Sequence, residues 1–147
     1  MNSIHDICKK YNITNYTIND DESIDVNGNV YLYDRGLTEL PLTFNRIEFD
    51  FWFSNNNLTS LKGGPRWVGD SFYCSYNNLT SLEFSPEYVG NDFFCSDNYL
   101  IDNYSDTEIG GKFYTSLKHD GLTEGNYNEW RKIYKRKQIL ENIFSII

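Results

Sequence analysis

Alanine is absent from the 147 residues, methionine occurs once, histidine twice, and proline and cysteine three times each. Asn, Gly and Pro interrupt the middle of the chain at short intervals, which excludes a long helix or a heptad repeat there. Cys8, Cys74 and Cys95 are too few and too scattered for a secreted disulfide scaffold. No stretch approaches the roughly 18 apolar residues of a membrane span. The opening "MNSIHDICKKYNITNYTIND" lacks the apolar core of a signal peptide. A cytoplasmic protein with reduced thiols and no membrane contact is the expectation.

Catalytic and ligand-binding groupings are equally scarce. The two glycine pairs, "KGGP" and "IGGK", lack the spacing of a phosphate loop. His5 and His119 stand far apart, and zinc held by Cys74, Cys95 and a histidine would need four convergent ligands. Asp20 and Asp21 fall in a turn, where nothing orients them as acid and base. No enzyme activity, cofactor or metal is expected. Basic residues are also short in the body of the chain. Through Glu129 there are 20 acidic and 8 basic residues, a balance of −12, and from Trp130 onward 5 basic residues face 1 acidic. That body lacks the basic footprint of a direct nucleic-acid binder.

What is present in excess is aromatic: 12 Tyr and 10 Phe. They sit in a repeat. Leu37, Leu58, Leu79 and Leu100 keep a step of 21 residues. In register with them run Val30, Phe51, Phe72 and Phe93, then Leu32, Phe53, Cys74 and Cys95, then Asn56, Asn77 and Asn98. Each unit reads apolar-x-apolar-x-x-Asn-x-Leu-x-x-Leu. Units of this size cannot bury their own apolar face, so they stack as coils. A short strand such as Phe72-Tyr73-Cys74 points its first and third side chains inward and its middle one outward. Stacked, the strands predict a narrow parallel sheet, with the Asn column bonding backbone groups left open at the corner. The Leu-x-x-Leu side closes the core, and "KGGPRWVG" and "EFSPEYVG" turn the chain back without a helix.

The pattern predicts one domain: an N-terminal cap over residues 1–29, four to five coils over 30–118, and a C-terminal capping segment over 119–147. Ser3 and Asp6 form a capping box for a helix over residues 4–11 with Ile4, Ile7, Cys8 and Tyr11 inward. "DDESIDVNGNV" predicts a hairpin turning at "NGN". In the first coil Arg35 takes the Asn position, and Phe44 stands where Pro65 and Pro86 recur. The last coil arrives one residue early, since Ile109, Phe113 and Thr115 follow Val89, Phe93 and Cys95 by 20, which puts a deletion or bulge within 101–109. Trp130, Ile133, Tyr134, Lys137, Leu140, Ile143, Phe144 and Ile147 recur at helical spacing, predicting an amphipathic helix over 128–144 that covers the open end. The basic run "RKIYKRK" would coat its outer face.

The stretches "YNITNYTINDDESIDVNGNVYLYDRGLTELP" and "FYCSYNNLTSLEFSPEYVGNDFFCSDNYL" resemble small leucine-rich-repeat proteins of large tailed bacteriophages and their bacterial relatives. The likeness covers roughly residues 11–118, and the "CSxNxLTSLxGxP" phrase carries it. It implies a right-handed leucine-rich solenoid, intracellular in the infected host, without enzymatic motifs. Phe84-Ser85 and Tyr99-Leu100-Ile101-Asp102 depart from the phrase.

The outward strand positions are Tyr31, Trp52, Tyr73, Phe94 and Tyr114, all aromatic. Rigid rings bury large area at small entropic cost, so this stripe, flanked by Asp50 and Asp92, is the candidate protein-binding surface. Alternatively the rings serve only as a cross-strand ladder. A second stripe, Trp67 and Tyr88, is expected to pack over the proline corners. The expected function is a protein-binding module acting on a host or phage protein. The alternatives are an acidic decoy of nucleic acid, a self-assembling protein that pairs through the stripe, and a module that stacks sugars or bases.

Overall fold

The computed structural model describes residues 2–100, 105–116, 136 and 139–145. The chain opens with α1 (Ile4–Lys10), capped as expected: the Ser3 hydroxyl accepts from the Asp6 N–H and the Asp6 carboxylate accepts from the Ser3 N–H. Cys8 is buried, and Ile4, Ile7 and Tyr11 pack partly buried against the core. Eleven short strands follow. They are β1 (Tyr16–Ile18), β2 (Ile24–Val26), β3 (Val30–Tyr31), β4 (Phe44–Ile47), β5 (Phe51–Trp52) and β6 (Trp67–Val68). Then come β7 (Phe72–Tyr73), β8 (Tyr88–Val89), β9 (Phe93–Phe94), β10 (Glu108–Ile109) and β11 (Phe113–Tyr114).

These strands build a β-solenoid of about four turns with two sheets, where the repeat predicted one. The first sheet runs β1-β2-β4-β6-β8-β10 and the second β3-β5-β7-β9-β11, parallel throughout except for β1 against β2. The expected sheet is the second, in the register that the step of 21 demands: Phe51 beside Phe72 and Phe72 beside Phe93. The first sheet arises from the segment read as a plain return. Between each proline corner and the following glycine, Trp67-Val68 and Tyr88-Val89 are extended, with the valine inward and the ring outward, and stack Val68 beside Val89.

The N-terminal hairpin is real, but its turn is not "NGN". β1 and β2 pair through Tyr16–Val26 and Ile18–Ile24, and the chain reverses over residues 19–23, where the Glu22 N–H donates to the Asn19 carbonyl and Glu22 takes φ 66°. Asn27-Gly28-Asn29 instead forms the corner between the two sheets. Its place recurs 21 residues later at 48–50, where Phe49 N–H donates to the Gly28 carbonyl. β2 therefore belongs to the solenoid itself, pairing in parallel with β4.

The early arrival of the last coil holds: Ile109 lies beside Val89 and Phe113 beside Phe93. Residues 101–104, where part of the irregularity was expected, lie outside the described residues, as do 117–135 and, within the expected capping helix, Lys137 and Ile147. Residues 139–145 are helical. Leu140, Ile143 and Phe144, expected inward, are exposed at 53%, 49% and 70%. Spacing of 3.6 residues makes an apolar helix face but does not supply a surface to cover it.

One contiguous core fills the solenoid, with Phe51, Phe53, Phe72, Phe93, Leu58, Leu61, Leu79 and Leu82 fully or almost fully buried. Cys74 and Cys95 also point inward as free thiols, donating to the Phe94 and Tyr114 carbonyls. Burial pushes the Cys95 thiol up to about 12 and the Cys74 thiol well above its ordinary range. They are packing residues and weak nucleophiles.

The Asn column welds the coils together. Asn77 Nδ2 donates to the Cys74 carbonyl of its own coil and to the Phe53 carbonyl of the coil before, each at 3.2 Å, while Oδ1 accepts from the Leu58 N–H at 3.1 Å. Asn56 and Asn98 repeat the arrangement one step either way. Arg35 cannot, so the column begins at Asn56, whose Oδ1 accepts from the Arg35 and Leu37 N–H groups. Asn77→Ala leaves a buried N–H and carbonyls short of partners and is expected to cost about 2–3 kcal/mol in denaturant melts. Asn57→Ala, at an exposed neighbour, is the comparison and should cost under about 0.5 kcal/mol.

Candidate protein-binding face

The outward residues of the second sheet form one continuous pile of rings. Their side chains alternate with the buried phenylalanines because each strand is two residues long with its first residue inward. Trp52 stacks on Tyr73 at 4.6 Å, Tyr73 on Phe94 at 4.7 Å and Phe94 on Tyr114 at 4.5 Å, with interplanar angles of 22°, 5° and 3°. At the N-terminal end the order changes. Tyr31 meets Trp52 edge-on, and Tyr33 tilts against it at 5.4 Å. All five expected residues are thus brought together. Their faces cover one another and their edges look outward. Each stacked pair adds about 0.5–1.5 kcal/mol beyond area burial, so the ladder stabilises the sheet as well as lining a surface.

Asp50 and Asp92, expected as flanking contact residues, also serve the fold. The Asp50 carboxylate accepts from the Ser71 N–H at 2.9 Å, and the Asp92 carboxylate from the Lys112 N–H at 2.7 Å. Asn29 and Ser71 do the same for Asp50 and Asp92 themselves. The column Asn29, Asp50, Ser71, Asp92 is therefore a second ladder, each side chain capping an N–H of the coil that follows. Partial burial raises the Asp50 carboxyl above its ordinary value, opposed by the Ser71 N–H and reinforced by Asp70. Burial also raises Tyr73, opposed by Ser71 and reinforced by Asp50, Asp70 and Asp92. Two of the carboxylates that an acidic decoy would display are thus occupied within the fold.

Beyond the strands the columns thin out. Position 33 carries Tyr, but its successors are Ser54, Ser75 and Ser96. The next column sits in the left-handed backbone region: Asp34 at φ 55°, Asn55 at 58°, Tyr76 at 55° and Asp97 at 55°. Asp and Asn tolerate that conformation because their short polar side chains bond locally, as Asn55 does to the Asp34 carboxylate at 3.1 Å. A tyrosine gains nothing there. Tyr76 holds the strained conformation with its side chain 61% exposed. Between it and the ring pile, the small serines leave a cleft of about 360 Å³ lined by Tyr33, Trp52, Tyr73, Tyr76 and Phe94 with Asp34 at one end.

The sequence pattern identified the pile but not the cleft. Its signal was there in Tyr76 standing alone in an Asp/Asn column. Phe84 offers the same signal elsewhere: it takes φ 65° where the preceding coil has Gly63 at φ 87°, and it is 53% exposed. Two larger recesses, of about 770 and 450 Å³, lie on the Leu-x-x-Leu side around Leu40–Gly63 and around Phe84. They are bounded by loops, and neither brings several aromatic rings together.

The second stripe, expected over the proline corners, forms a stack of its own. Trp67 stacks on Tyr88 at 5.5 Å and 18°, on the outer face of the first sheet, above Gly69 and Gly90. The Arg46 guanidinium closes this stack from the other side, 3.5 Å from the Trp67 ring centre, while bonding Glu48 at 3.3 Å.

Among the described residues, no three His, Cys, Asp or Glu side chains converge as a metal site, and no helix is long and apolar enough to cross a membrane. Comparison with known proteins gives no matching family model, no matching curated protein and no matching solved structure.

Proposed function

We propose that this chain is a non-enzymatic protein-binding module that engages its partner through the aromatic face of the second sheet and the cleft beside it. The observation that carries the reading is Tyr76. A backbone that elsewhere gives this position to Asp or Asn accepts strain here to present a ring beside four others that line the same cleft. Strain kept at an exposed position without a packing return marks a residue retained for contact. The "CSxNxLTSLxGxP" phrase and the Leu-x-x-Leu side support assigning the solenoid to the leucine-rich-repeat proteins of tailed bacteriophages. On that assignment the partner is a host protein, bound and inhibited in the cytoplasm of the infected cell.

Tyr76→Asn tests the reading because it separates contact from folding. Asn relieves the left-handed strain, so the variant should be more stable than the parent by about 0.5–1 kcal/mol in denaturant melts. The same variant should retain at least about ten-fold less of the partner captured from bacterial lysate, the loss expected of a central aromatic contact. A variant that gains stability and keeps its partner undiminished would remove Tyr76, and the cleft with it, from the interface.

A further inference from the structure

We propose that the edge of the second sheet at β3 takes up an extended segment of the partner, which adds to the sheet as one further parallel strand. The proposal rests on the binding-module reading above and adds how the contact is made. Within the solenoid each coil offers carbonyls to the coil before it. Asp50 accepts from the Val30 N–H at 2.9 Å, Trp52 from the Leu32 N–H at 2.7 Å and Ser54 from the Asp34 N–H at 3.1 Å. Their counterparts one step earlier are the carbonyls of Asn29, Tyr31 and Tyr33, and no donor among the described residues reaches these. Successive N–H groups of a strand point to opposite edges. With Val30 and Leu32 bonded toward β5, the Tyr31 and Tyr33 N–H groups point away from it, and they find no acceptor among the described residues.

The chain itself closes the rest of this end. β1 pairs against β2 and covers the edge of the first sheet. α1 lies across the core, with Cys8 buried, Ile4 beside Leu40 and Leu42, and His5 Nδ1 in a 2.6 Å hydrogen bond with the Tyr16 hydroxyl of β1. No strand among the described residues pairs with β3 on its outer side. Because α1 occupies the end of the core, the opening admits a strand but not another coil. That points to an extended segment and not to a second copy stacked end to end. Exposed edges are commonly blunted by charge or proline. Residues 27–33, Asn-Gly-Asn-Val-Tyr-Leu-Tyr, carry neither. The edge is also continuous with the ring pile. Tyr31 and Tyr33 are both exposed, and Tyr31 stands edge-on to Trp52 at 62° where the later rings lie nearly parallel. An added strand that repeats the alternation of β3 carries its middle side chain over Tyr31, so a ring at that place extends the pile by one. Main-chain bonds then supply affinity and the ring position selectivity.

The test uses the blocked hexapeptide Ser-Val-Tyr-Val-Ser-Lys and two forms of it, one N-methylated at the first valine and one at the tyrosine. In the full chain without peptide, the Tyr31 and Tyr33 amides should exchange with deuterium at least about ten-fold faster than those of Val30 and Leu32. The unmethylated peptide should slow Tyr31 and Tyr33 saturably, with a Kd of roughly 1 mM. Methyl on the valine nitrogen removes the donor to the Asn29 carbonyl and should weaken binding at least about ten-fold. The tyrosine nitrogen faces away from β3, so its methyl should leave the Kd within about two-fold. Tyr31→Pro removes an N–H that bonds nothing among the described residues and sits at an edge, where proline is tolerated. It should fold and lose the peptide, whereas Tyr31→Ala should keep it with reduced affinity. Slow exchange of Tyr31 and Tyr33 in the free chain, equal effects of the two methyl groups, or no saturable binding would each overturn the proposal. So would a parent dimer in light scattering that Tyr31→Pro makes monomeric, since a second copy would then hold the edge. Partner capture by the Trp52→Ala/Tyr73→Ala variant separates the two levels. If that variant loses the partner while the peptide fails to bind the parent, the face stands and the edge is wrong. If the folded variant keeps the partner while the parent binds the peptide with the alternation above, the edge stands and the face reading fails.

Discussion

Gly90→Ala should be among the most damaging single-methyl additions this chain can receive. The corner from the first sheet to the second is a column in which Gly69, Gly90 and Gly110 lie over one another, each N–H donating at 2.9 Å to the carbonyl of the residue before its counterpart, as Gly90 does to Val68. A Cβ on Gly90 would be driven into the carbonyl oxygen of Gly69, and one on Gly110 into that of Gly90. The obstacle is backbone, so no side-chain rotation relieves it. Two coils would have to separate at the point where both sheets are pinned, breaking the ladder bonds of Val68 with Val89 and of Phe72 with Phe93. Overpacking of a tight core costs typically 1–3 kcal/mol, and a backbone clash that spreads two sheets should reach or pass the top of that range, about 3 kcal/mol. Gly28→Ala is the matched comparison. A Cβ there meets nothing within 4 Å, so its cost should stay under about 1 kcal/mol. Urea melts of the two variants beside the parent give the answer, and similar small losses for both would mean that the coils are further apart at this corner.

Much of this architecture was legible from the step of 21 alone. Any residue pair one step apart and alternating inward and outward had to stack, which placed Phe51, Phe72 and Phe93 in the core, Trp52, Tyr73 and Phe94 outside, and Asn77 against open backbone. The first sheet was not legible in the same way. Trp67-Val68 is two residues long, and so short a run becomes a strand only through the register of its neighbours. "NGN" misled for a related reason. Its composition is that of a hairpin turn, yet its place in the 21-residue count is that of a corner, and stacking against residues 48–50 decided the outcome.

The candidate site divides along the same line. Column position revealed the ring pile, but backbone dihedral and hydrogen-bond partner are not written in a period. Asp50 and Asp92 read as surface charge until their oxygens were seen to accept the N–H groups of Ser71 and Lys112. The period gives Tyr76 its column but not the φ of 55° that shows what its place demands. The C-terminal helix shows the converse limit. Leu140, Ile143 and Phe144 keep helical spacing and yet remain exposed, because an amphipathic pattern specifies a face and not its partner.

The central claim is that the ring pile serves contact and does not merely hold the sheet. It meets its most direct test in one variant, Trp52→Ala with Tyr73→Ala, measured for stability and for partner binding on the same preparation. The change removes the 4.6 Å stack between the two rings and the 4.7 Å stack of Tyr73 on Phe94, but touches no core residue, because Phe51, Phe53, Phe72 and Cys74 lie on the opposite side of the strands. Lost stacking should cost about 2 kcal/mol, leaving a folded monomer with an unchanged far-ultraviolet spectrum. Central aromatics of an interface commonly cost at least about 2 kcal/mol each, so binding to the captured partner should fall by roughly a thousand-fold, below detection in a titration. Light scattering alongside shows whether the parent forms a dimer that the variant does not, in which case the second copy is the partner. A folded, monomeric variant that binds its partner as tightly as the parent would contradict the account and leave the ring pile as a ladder for the sheet.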